Sequence, residues 1–520
     1  MYLQKSLRQT RALVFLMGLS LIPGCATHRL QTDVDKIPSQ ALPPAETGRI
    51  HEISQKLNST AGADESEFML LPDNLNSLRW RVLLADLAEQ SIDLQYYLID
   101  RDDSSRYFAM ALVRAANRGV RVRLLVDDVF LMNRDDRIAA WSEHPHIEIR
   151  VFNPWHKRGS LVQRGLEYLG YSERLNQRMH NKLFAVDNRI AIIGGRNIGD
   201  AYFGLSDKYN FRDLDVIVAG PMVDKVSDSF DLYWNDEWTV SAAAFARPDR
   251  EAPLKEHMVR EGAALLAASD KAGKAGLLKP IPSKDFLDHL LSNSVYGQAW
   301  AVYDDPPSEI ANQQGVRKID QLEDIDSAIE RELLIASPYL VPSEIFMDKL
   351  QQMSQRGVRV RLLTNSLAST NHTMVHSGYR PWRRRLIDAG IELYEYRADA
   401  SDTAGVLAAG MEGGFTSLHT KTFVIDREFV YLGSLNMDPR SFHINTEMGL
   451  LVASPQLADQ VAVLLEREIA PENAWRVTRD DEGRLAWTSS AGTSHLQPAR
   501  GFAQRIADFF YGLLPIKDQL

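Results

Sequence analysis

Two stretches of this chain carry the same reactive residue types at the same spacing. Each begins with a histidine, has a lysine two positions later and an aspartate seven positions later, and continues after six residues with Gly-Gly or Gly-Ser and an asparagine. Two histidines, two lysines and two asparagines together can bind, break and remake a phosphodiester. In chain order the residues are His180, Lys182, Asp187, Gly194, Gly195 and Asn197, and then His419, Lys421, Asp426, Gly433, Ser434 and Asn436.

The spacing within each motif predicts that its polar groups face one space. Side chains at i and i+2 of a strand point to the same face, which places His180 with Lys182 and His419 with Lys421. Asn197 and Asn436 follow glycine-containing turns and can donate amide hydrogens to a phosphate oxygen. If the two sets meet about a pseudo-twofold axis, their donors surround one phosphate and stabilise the charge that develops on its oxygens.

The duplication extends beyond the motifs. Residues 118–125 recur letter for letter as residues 356–363, an offset of 238, and the motif histidines are 239 residues apart. Two landmarks with nearly the same offset indicate a duplicated domain.

The elements that must position these residues follow from hydrophobic patterning. Strands and helices alternate before each motif, and a strand lies on either side of each motif aspartate, which predicts an α/β fold with a mixed, helix-flanked sheet in each half. In the first half we expect a helix over 77–88, a strand over 91–97, a helix over 108–117 and strands over 120–126, 182–186 and 190–193; in the second, a strand over 332–338, a helix over 344–355 and strands over 358–364, 422–425 and 429–432.

The remaining segments define the expected domain order. Residues 71–239 and 311–470 are predicted to be the two repeats, joined by a mainly helical connector over 240–310. Residues 471–520 are expected to form a tail with an amphipathic helix whose apolar face includes Phe502 and Phe509. That face either packs on the second repeat, which we slightly favour, or contacts a membrane.

The N-terminus resembles a bacterial lipoprotein signal. A basic start and a short apolar run end in Gly24-Cys25, the latter being the one cysteine of the chain. The resemblance implies a signal peptide over 1–24, a lipidated Cys25 and a tether over 25–70, in a protein that is anchored to a bacterial membrane and faces the periplasm. Ala26 favours the outer membrane over the inner one. The alternative is a signal anchor with an incidental cysteine.

Composition narrows the class of partner. The chain has 520 residues, 45% of them hydrophobic, and a net charge of -10, which is typical of a globular protein and disfavours nucleic acid as a partner. His372 and His376 stand four apart, but no third ligand accompanies them, so no metal site is predicted.

The doubled motif resembles the signature of the phospholipase D superfamily, and the resemblance covers roughly residues 70–470. It implies two phospholipase D repeats that share one active site, in which one histidine forms a phosphohistidine and the other serves as acid and base. By position His180 resembles the nucleophile and His419 the acid/base. Family analogy gives Asp213 and Glu447 the role of orienting the histidines. Asp187 and Asp426 complete the catalytic signature, although their place at strand turns favours a role in the fold.

Several stretches, among them residues 194–203 and 438–441, resemble the C-type branch of bacterial cardiolipin synthases. This resemblance implies transfer of a phosphatidyl group between phospholipids, with phosphatidylglycerol, phosphatidylethanolamine or cardiolipin as substrates and without any cofactor. Two alternatives stay open: a hydrolytic phospholipase D that releases phosphatidic acid, and an inactive lipid-binding scaffold.

Overall fold

The structure is a computed structural model, and both motifs lie in its described part. The predicted signal peptide and Cys25 lie outside the described residues. The structure describes residues 30, 34–57, 62, 64–131, 140, 141, 143–159, 161–245, 256, 283–311, 315, 317, 322, 325, 327–411 and 413–514.

The strands follow the predicted alternation, and those around each motif lie close to the expected bounds. They are β1 (Ser66–Leu71), β2 (Ser91–Tyr96), β3 (Arg121–Asp127), β4 (Ile147–Phe152), β5 (Leu183–Val186), β6 (Ile190–Gly194), β7 (Tyr209–Arg212), β8 (Asp215–Ala219), β9 (Thr239–Ser241), β10 (Val295–Tyr303), β11 (Glu332–Ala336), β12 (Arg359–Asn365), β13 (Glu392–Tyr396), β14 (Phe415–Leu418), β15 (Thr422–Ile425), β16 (Phe429–Gly433), β17 (Met448–Ala453), β18 (Ala474–Arg479), β19 (Leu485–Ser489) and β20 (Gly492–Ser494).

The helices fall between the strands, as expected for an α/β fold. They are α1 (Arg49–Leu57), α2 (Asn74–Leu87), α3 (Asp103–Asn117), α4 (Leu161–Asn176), α5 (Met222–Asn235), α6 (Ser283–Asn293), α7 (Pro307–Ala311), α8 (Glu344–Gln355), α9 (Thr373–Tyr379), α10 (Arg383–Asp388), α11 (Pro439–His443), α12 (Pro455–Glu468) and α13 (Phe502–Tyr511). Among the described residues, no helix has both the length and the apolar character needed to cross a bilayer.

Most strands form one continuous mixed sheet, which confirms the predicted fold class. Its order is 9-4-3-2-5-6-8-1-10-17-16-15-11-12-13-18-19-20. The sequence 4-3-2-5-6-8-1 in the first half corresponds strand by strand to 13-12-11-15-16-17-10 in the second, with the same parallel and antiparallel pairings. The two halves therefore meet at the antiparallel pair of β1 and β10, at the centre of the sheet.

Strand β10 corrects the expectation of a mainly helical connector over 240–310. It pairs with β1 and β17 and occupies in the second half the place that β1 has in the first. The second repeat therefore begins well before residue 311. The sequence hid this strand because its two sheet neighbours, β1 and β17, are far away along the chain.

The shared interior of the molecule lies between the halves. Helices α5 and α12 bury one face each, including Trp234 and Val461, against strands of both repeats, including Leu183 in β5 and Val424 in β15. Because one apolar core contains side chains from both repeats, the halves cannot separate without exposing it.

The expected tether over 25–70 is wrong for the described residues 34–57, which pack on the first repeat. Arg123, buried in β3, donates to the Ser39 carbonyl at 3.1 Å, and Ala41 N donates to Asp231 at 2.6 Å. Helix α1 then buries Ile50 and Leu57. An extended segment held by such hydrogen bonds is a strap on the folded body, not a flexible spacer.

Helix α13 corrects the favoured expectation for the tail. Its apolar side chains Phe502, Phe509 and Phe510 are exposed, whereas its buried residue is Asp508. Asp508 accepts a hydrogen bond from His376 at 2.8 Å and one from Arg380 at 3.1 Å. The polar side of the helix therefore packs on the second repeat, and the apolar side faces outward.

Candidate active site

A parallel pair of short strands joins the second motif to the first half. Strand β14 pairs with β7, with Leu418 opposite Arg212. The next residue of each strand is therefore His419 on one side and Asp213 on the other, and His419 N donates to the Arg212 carbonyl at 2.7 Å. As a result His419 Nδ1 lies 2.5 Å from Asp213 Oδ2.

The same arrangement recurs at the first motif, with the roles of the two repeats exchanged. Met179 forms a parallel bridge with Thr446, and His180 N donates to the Thr446 carbonyl at 2.9 Å. The next residues, His180 and Glu447, then meet with Nδ1 2.8 Å from Oε2. Each motif histidine is thus held by a carboxylate from the opposite half, so neither half by itself contains a complete histidine–carboxylate pair.

The two lysines lie beside the histidines, as the strand spacing predicted. Lys182 Nζ donates to the carbonyl of His180 at 2.5 Å, and Lys421 Nζ makes the corresponding bond to the carbonyl of His419. Both ammonium groups are buried, and each lowers the pKa of both histidines. The four side chains therefore occupy one electrostatic environment with a concentrated positive charge.

Burial and charge together tune these groups. Burial, with the neighbouring lysines, holds the pKa of His180 and His419 well below the ordinary histidine value, so each imidazole is neutral in the empty site. Burial also lowers the pKa of Lys182 to about 7 and that of Lys421 to about 8. A bound phosphodiester anion would raise the pKa of both lysines and keep them charged, because its negative charge stabilises the ammonium form.

The orienting carboxylates are perturbed in the opposite direction. Burial raises the pKa of Asp213 to about 7 and that of Glu447 to about 7, even though Lys421 and Lys182 favour their charged forms. Glu447 is further held by the hydroxyl of Ser434 and by its own backbone N–H, which donates to Asp304 at 3.1 Å. A carboxylate on Nδ1 leaves Nε2 of each imidazole for chemistry, as in other histidine–carboxylate catalysts.

Glycine in the first motif makes room for its carboxylate. A Cβ at Gly195 would lie 2.3 Å from Asp213 Oδ1, too close for any side chain. At the equivalent place of the second motif stands Ser434, whose hydroxyl bonds to Glu447. The Gly-Gly form of the first motif therefore leaves room for Asp213. The Gly-Ser form of the second motif gives Glu447 a hydroxyl group as a hydrogen-bond partner.

The motif asparagines flank the pairs. Asn197 donates to the Tyr202 hydroxyl at 3.0 Å and accepts from Leu98 N at 3.2 Å. Asn436 donates to Ser441 Oγ at 3.3 Å, and its buried Oδ1 has no hydrogen-bond partner among the described residues. Phosphate binding by Asn197 and Asn436 stays a prediction, since Asn197 uses its amide group to position Tyr202 and Leu98 in the empty site.

Sequence reasoning missed an aromatic wall around the histidines. Tyr97 contacts the His180 ring edge-on at 5.0 Å between centroids, and Tyr202 contacts the His419 ring edge-on at 5.2 Å. Phe211 lies 4.6 Å from the His419 ring. These rings exclude water and hold the imidazole planes. Tyr202 falls within the stretch 194–203 used for the family resemblance, and that was the available signal.

Asp187 and Asp426 lie away from the chemistry, which corrects their place in the catalytic set. Each sits at a hairpin turn with positive φ, 51° and 52°. Four residues of strand separate each aspartate from its lysine, a span of roughly 16 Å. Asp187 accepts backbone hydrogen bonds from residues 89–91, and Asp426 accepts them from residues 330–332. They fix the start of the neighbouring strands β2 and β11.

His372 and His376 have separate surroundings. His372 packs edge-on against Tyr339 at 5.6 Å, and burial lowers its pKa. His376 uses Nδ1 for Asp508 and Nε2 for Arg383. In the described part of the chain, no group of three His, Cys, Asp or Glu side chains is arranged to hold a metal ion.

Known proteins resemble this chain in both repeats. The family model described as "Cardiolipin synthase, PLD-like domain" matches residues 84–234 and 322–469, one match for each repeat. Cardiolipin synthase C of Escherichia coli (strain K12) is 35% identical over 461 residues, which are 86% of this chain and 94% of that protein. Cardiolipin synthase of Geobacillus kaustophilus (strain HTA426) is 27% identical over 362 residues, 69% of this chain and 58% of that one.

A solved structure supports the fold independently. The phosphatidylserine synthase of Haemophilus influenzae Rd KW20 superposes with a TM-score of 0.53 over 82% of this chain and 91% of its own, at 14% identity. At that identity the likeness concerns the fold. With the doubled motif, the cross-paired histidines and the match in both repeats, the chain belongs to the cardiolipin synthase family of phospholipase D-like enzymes.

Proposed function

We propose that this enzyme transfers a phosphatidyl group from one phospholipid to the hydroxyl of a second, phosphatidylglycerol being the acceptor, so that cardiolipin is formed. The observation that carries the proposal is the crossed arrangement of two histidine–carboxylate pairs around two buried lysines. It provides two imidazoles that are each held at Nδ1 by a carboxylate, and a cationic pocket for one phosphodiester.

The reaction divides into two displacements. In the first, His180 Nε2 attacks phosphorus, a P–N bond forms, and the P–O bond to the leaving headgroup alcohol breaks as His419 donates the proton to that oxygen. In the second, His419 takes the proton from the acceptor hydroxyl, whose oxygen attacks phosphorus while the P–N bond breaks. Glu447 and Asp213 stabilise the positive charge that each imidazole gains.

The charge balance of the site supports this cycle. Neutral imidazole is the nucleophilic form, and the low pKa of His180 favours it. The acid needs a proton, which the phosphate anion and the 2.5 Å bond to Asp213 stabilise on His419 once substrate is bound. Lys182 and Lys421 then neutralise the phosphoryl oxygens in both transition states.

The experiment that tests the function is product analysis with two donors. Purified protein is incubated with mixed vesicles of phosphatidylethanolamine and phosphatidylglycerol, and the lipids and the released headgroups are resolved. Cardiolipin, with release of ethanolamine or glycerol according to the donor, supports the proposal. Phosphatidic acid as the main product would identify water as the acceptor, and absence of turnover would leave a lipid-binding scaffold. His146→Gln, an exposed histidine, is the matched control for His180→Gln.

We also propose that the protein is anchored to a bacterial membrane by lipid on Cys25 and faces the periplasm, at the outer membrane. The short apolar run that ends in Gly24-Cys25 supports this. Mass spectrometry of the mature N-terminus should find an acylated Cys25, and density-gradient fractionation should place the protein with the outer membrane. A mature chain that still begins at Met1 would contradict the anchor.

A further inference from the structure

Two helices of this protein have their polarity inverted. In α4 the buried side chains include Glu167, while Leu161, Leu166 and Leu169 are exposed, Leu169 by 80%. In α13 Asp508 is buried and Phe502, Phe509 and Phe510 are exposed, Phe509 by 53%. A surface helix of a globular protein normally buries its apolar stripe and exposes its acids.

The buried acids show that these orientations are specified. Glu167 accepts the backbone N–H groups of His156 and Lys157 at 2.9 and 2.8 Å, which fixes α4 on the preceding loop. Asp508 is bonded to His376 and Arg380, which fixes α13 on α9. Each carboxylate is hydrogen-bonded to a neighbouring part of the fold. These polar contacts hold the polar side of each helix against the protein and leave its apolar side facing outward.

Each helix borders a different catalytic histidine. Asn176, the last residue of α4, stands four residues before His180 and accepts a 3.0 Å hydrogen bond from Arg440. At the second histidine, Gln504 in α13 donates to the Leu367 carbonyl at 2.6 Å. Two residues before Leu367, the side chain of Asn365 donates to the Leu418 carbonyl at 2.8 Å and accepts the Leu418 N–H at 2.9 Å, directly before His419. Each apolar face therefore belongs to a helix that is joined to one of the two catalytic histidines by a short chain of contacts.

We propose that α4 and α13 form a bilayer-docking surface that places the site over the headgroups of its substrates. This inference rests on the proposed function, because an enzyme that draws its substrate from a bilayer must approach the lipid surface with its site. The surface is apolar at both helices, and the exposed side of α13 carries no acid, which suits a membrane that contains anionic phospholipid.

Two features of the chain favour a lipid surface as the occupant. The one acid of helix α13, Asp508, is buried in ion pairs with His376 and Arg380, so the exposed side of the helix carries no acidic side chain although the whole chain has a net charge of -10. Leu30 is buried and donates to the His156 carbonyl at 3.1 Å, directly before α4. The chain therefore enters the described structure next to the loop before α4, and the lipid proposed for Cys25 belongs to the segment that precedes Leu30.

The direct test is a fluorescent probe at each face. Leu169→Cys and Phe509→Cys in the full-length chain are labelled with an environment-sensitive fluorophore and mixed with vesicles of phosphatidylethanolamine and phosphatidylglycerol. We expect at least a twofold rise in emission at both positions and strong quenching by acyl-chain spin labels. Val463→Cys, which replaces an exposed valine on α12, is the matched control and should not respond. The unsubstituted chain, treated identically, reports any label on Cys25.

Unchanged emission at positions 169 and 509, or an equal response at 463, would overturn the proposal. A rise in emission with protein concentration in the absence of lipid would overturn it as well, because a second copy of the chain would then cover the face.

An activity comparison separates docking from the chemistry. In Leu169→Ser and Phe509→Ser we expect kcat/KM on vesicles to fall at least tenfold, whereas kcat/KM on a short-chain phospholipid below its micelle concentration stays within twofold. Equal losses on both substrates would indicate a structural role and refute docking. If the labelled variants insert both probes into vesicles but the wild type turns over neither substrate, the docking surface stands and the proposed function fails.

Discussion

The clearest consequence of the geometry is that two kinds of acid in this site have separable roles. Glu447→Gln and Asp426→Asn both replace a carboxylate by an amide of the same shape. Glu447 bonds to the Nδ1 atom of His180 at 2.8 Å, whereas Asp426 bonds to three backbone N–H groups at 2.7–2.9 Å at a distant turn. The first change should therefore act on the rate and the second on stability.

The magnitudes follow from these contacts. Without a carboxylate on Nδ1, His180 loses the preferred tautomer and the charge that stabilises its cationic form, which costs roughly 10³- to 10⁴-fold in kcat by analogy with other histidine–carboxylate catalysts, or about 4–5 kcal/mol. The melting temperature of the Glu447→Gln variant should change little, because burial raises the pKa of Glu447 to about 7 and the folded state already tolerates the neutral side chain.

Asp426→Asn should behave in the opposite way. The amide nitrogen cannot accept the Glu330 N–H, so one buried contact is lost and two weaken, at a cost of about 1–3 kcal/mol. Backbone hydrogen bonds lower the pKa of Asp426, so its contribution to stability is present above the carboxyl pKa of the unfolded chain and is lost as the pH falls through the folded pKa. The kcat of the folded protein should stay within about twofold.

The assay is phosphatidyl transfer by single-turnover and steady-state kinetics, with calorimetry of the same samples. The reasoning would be refuted if Glu447→Gln kept kcat within tenfold of the wild type. It would also be refuted if Asp426→Asn lost a hundredfold in kcat with an unchanged melting temperature. Asp187→Asn provides the equivalent stability control in the first repeat, since Asp187 holds residues 89–91 in the same manner.

Three further predictions concern the same site. His180→Ala and His419→Ala should each abolish turnover, and the double variant should be no worse than either, because the residues act as a unit; a single variant within tenfold of the wild type would disprove the two-histidine cycle. In a pH series, kcat/KM should fall as the pH rises through about 7–8, since Lys182 and Lys421 lose their charge in the empty site. The kcat should fall only at higher pH, because the bound phosphate keeps both lysines charged. A kcat/KM that stays flat to pH 9 would contradict the lysine assignment. Activity should persist in excess chelator, since the lysines supply the positive charge; loss that a divalent ion reverses would show a metal requirement.

Local patterns predicted the motif strands and the fold class. The alternation around each motif places strands β5, β6, β15 and β16 within one residue of their expected bounds, because side-chain direction in a strand depends only on position. The structural part of the motif aspartates was also visible in the sequence, since Asp-Asn and Asp-Arg at a two-residue break between apolar strands are typical of hairpin turns. The repeat itself was predicted from two offsets that agree to one residue.

Long-range contacts were beyond local patterns. Strand β10 was missed because its two partners come from opposite ends of the chain, and the strap over 34–57 was missed because its proline-containing sequence reads as a linker until Arg123 and Asp231 are placed beside it. The outward face of α13 could not be predicted either, since the helical period identifies an apolar stripe but not the side on which the protein lies. A buried contact between Asp508 and His376, 132 residues apart, decides it.

The sequence by itself determined the family of this protein and the kinds of residue at its candidate site, because residue type and spacing along the chain are local properties. Only the tertiary structure decided how the parts combine. Asp213 and Glu447 were recognisable as acids that orient histidines, but their pairing depends on the parallel register of β7 with β14 and of Met179 with Thr446. That register joins the two repeats, so each histidine is paired with a carboxylate from the opposite half. A contact between two halves of the chain depends on how they fold against each other, and no local sequence pattern predicts it.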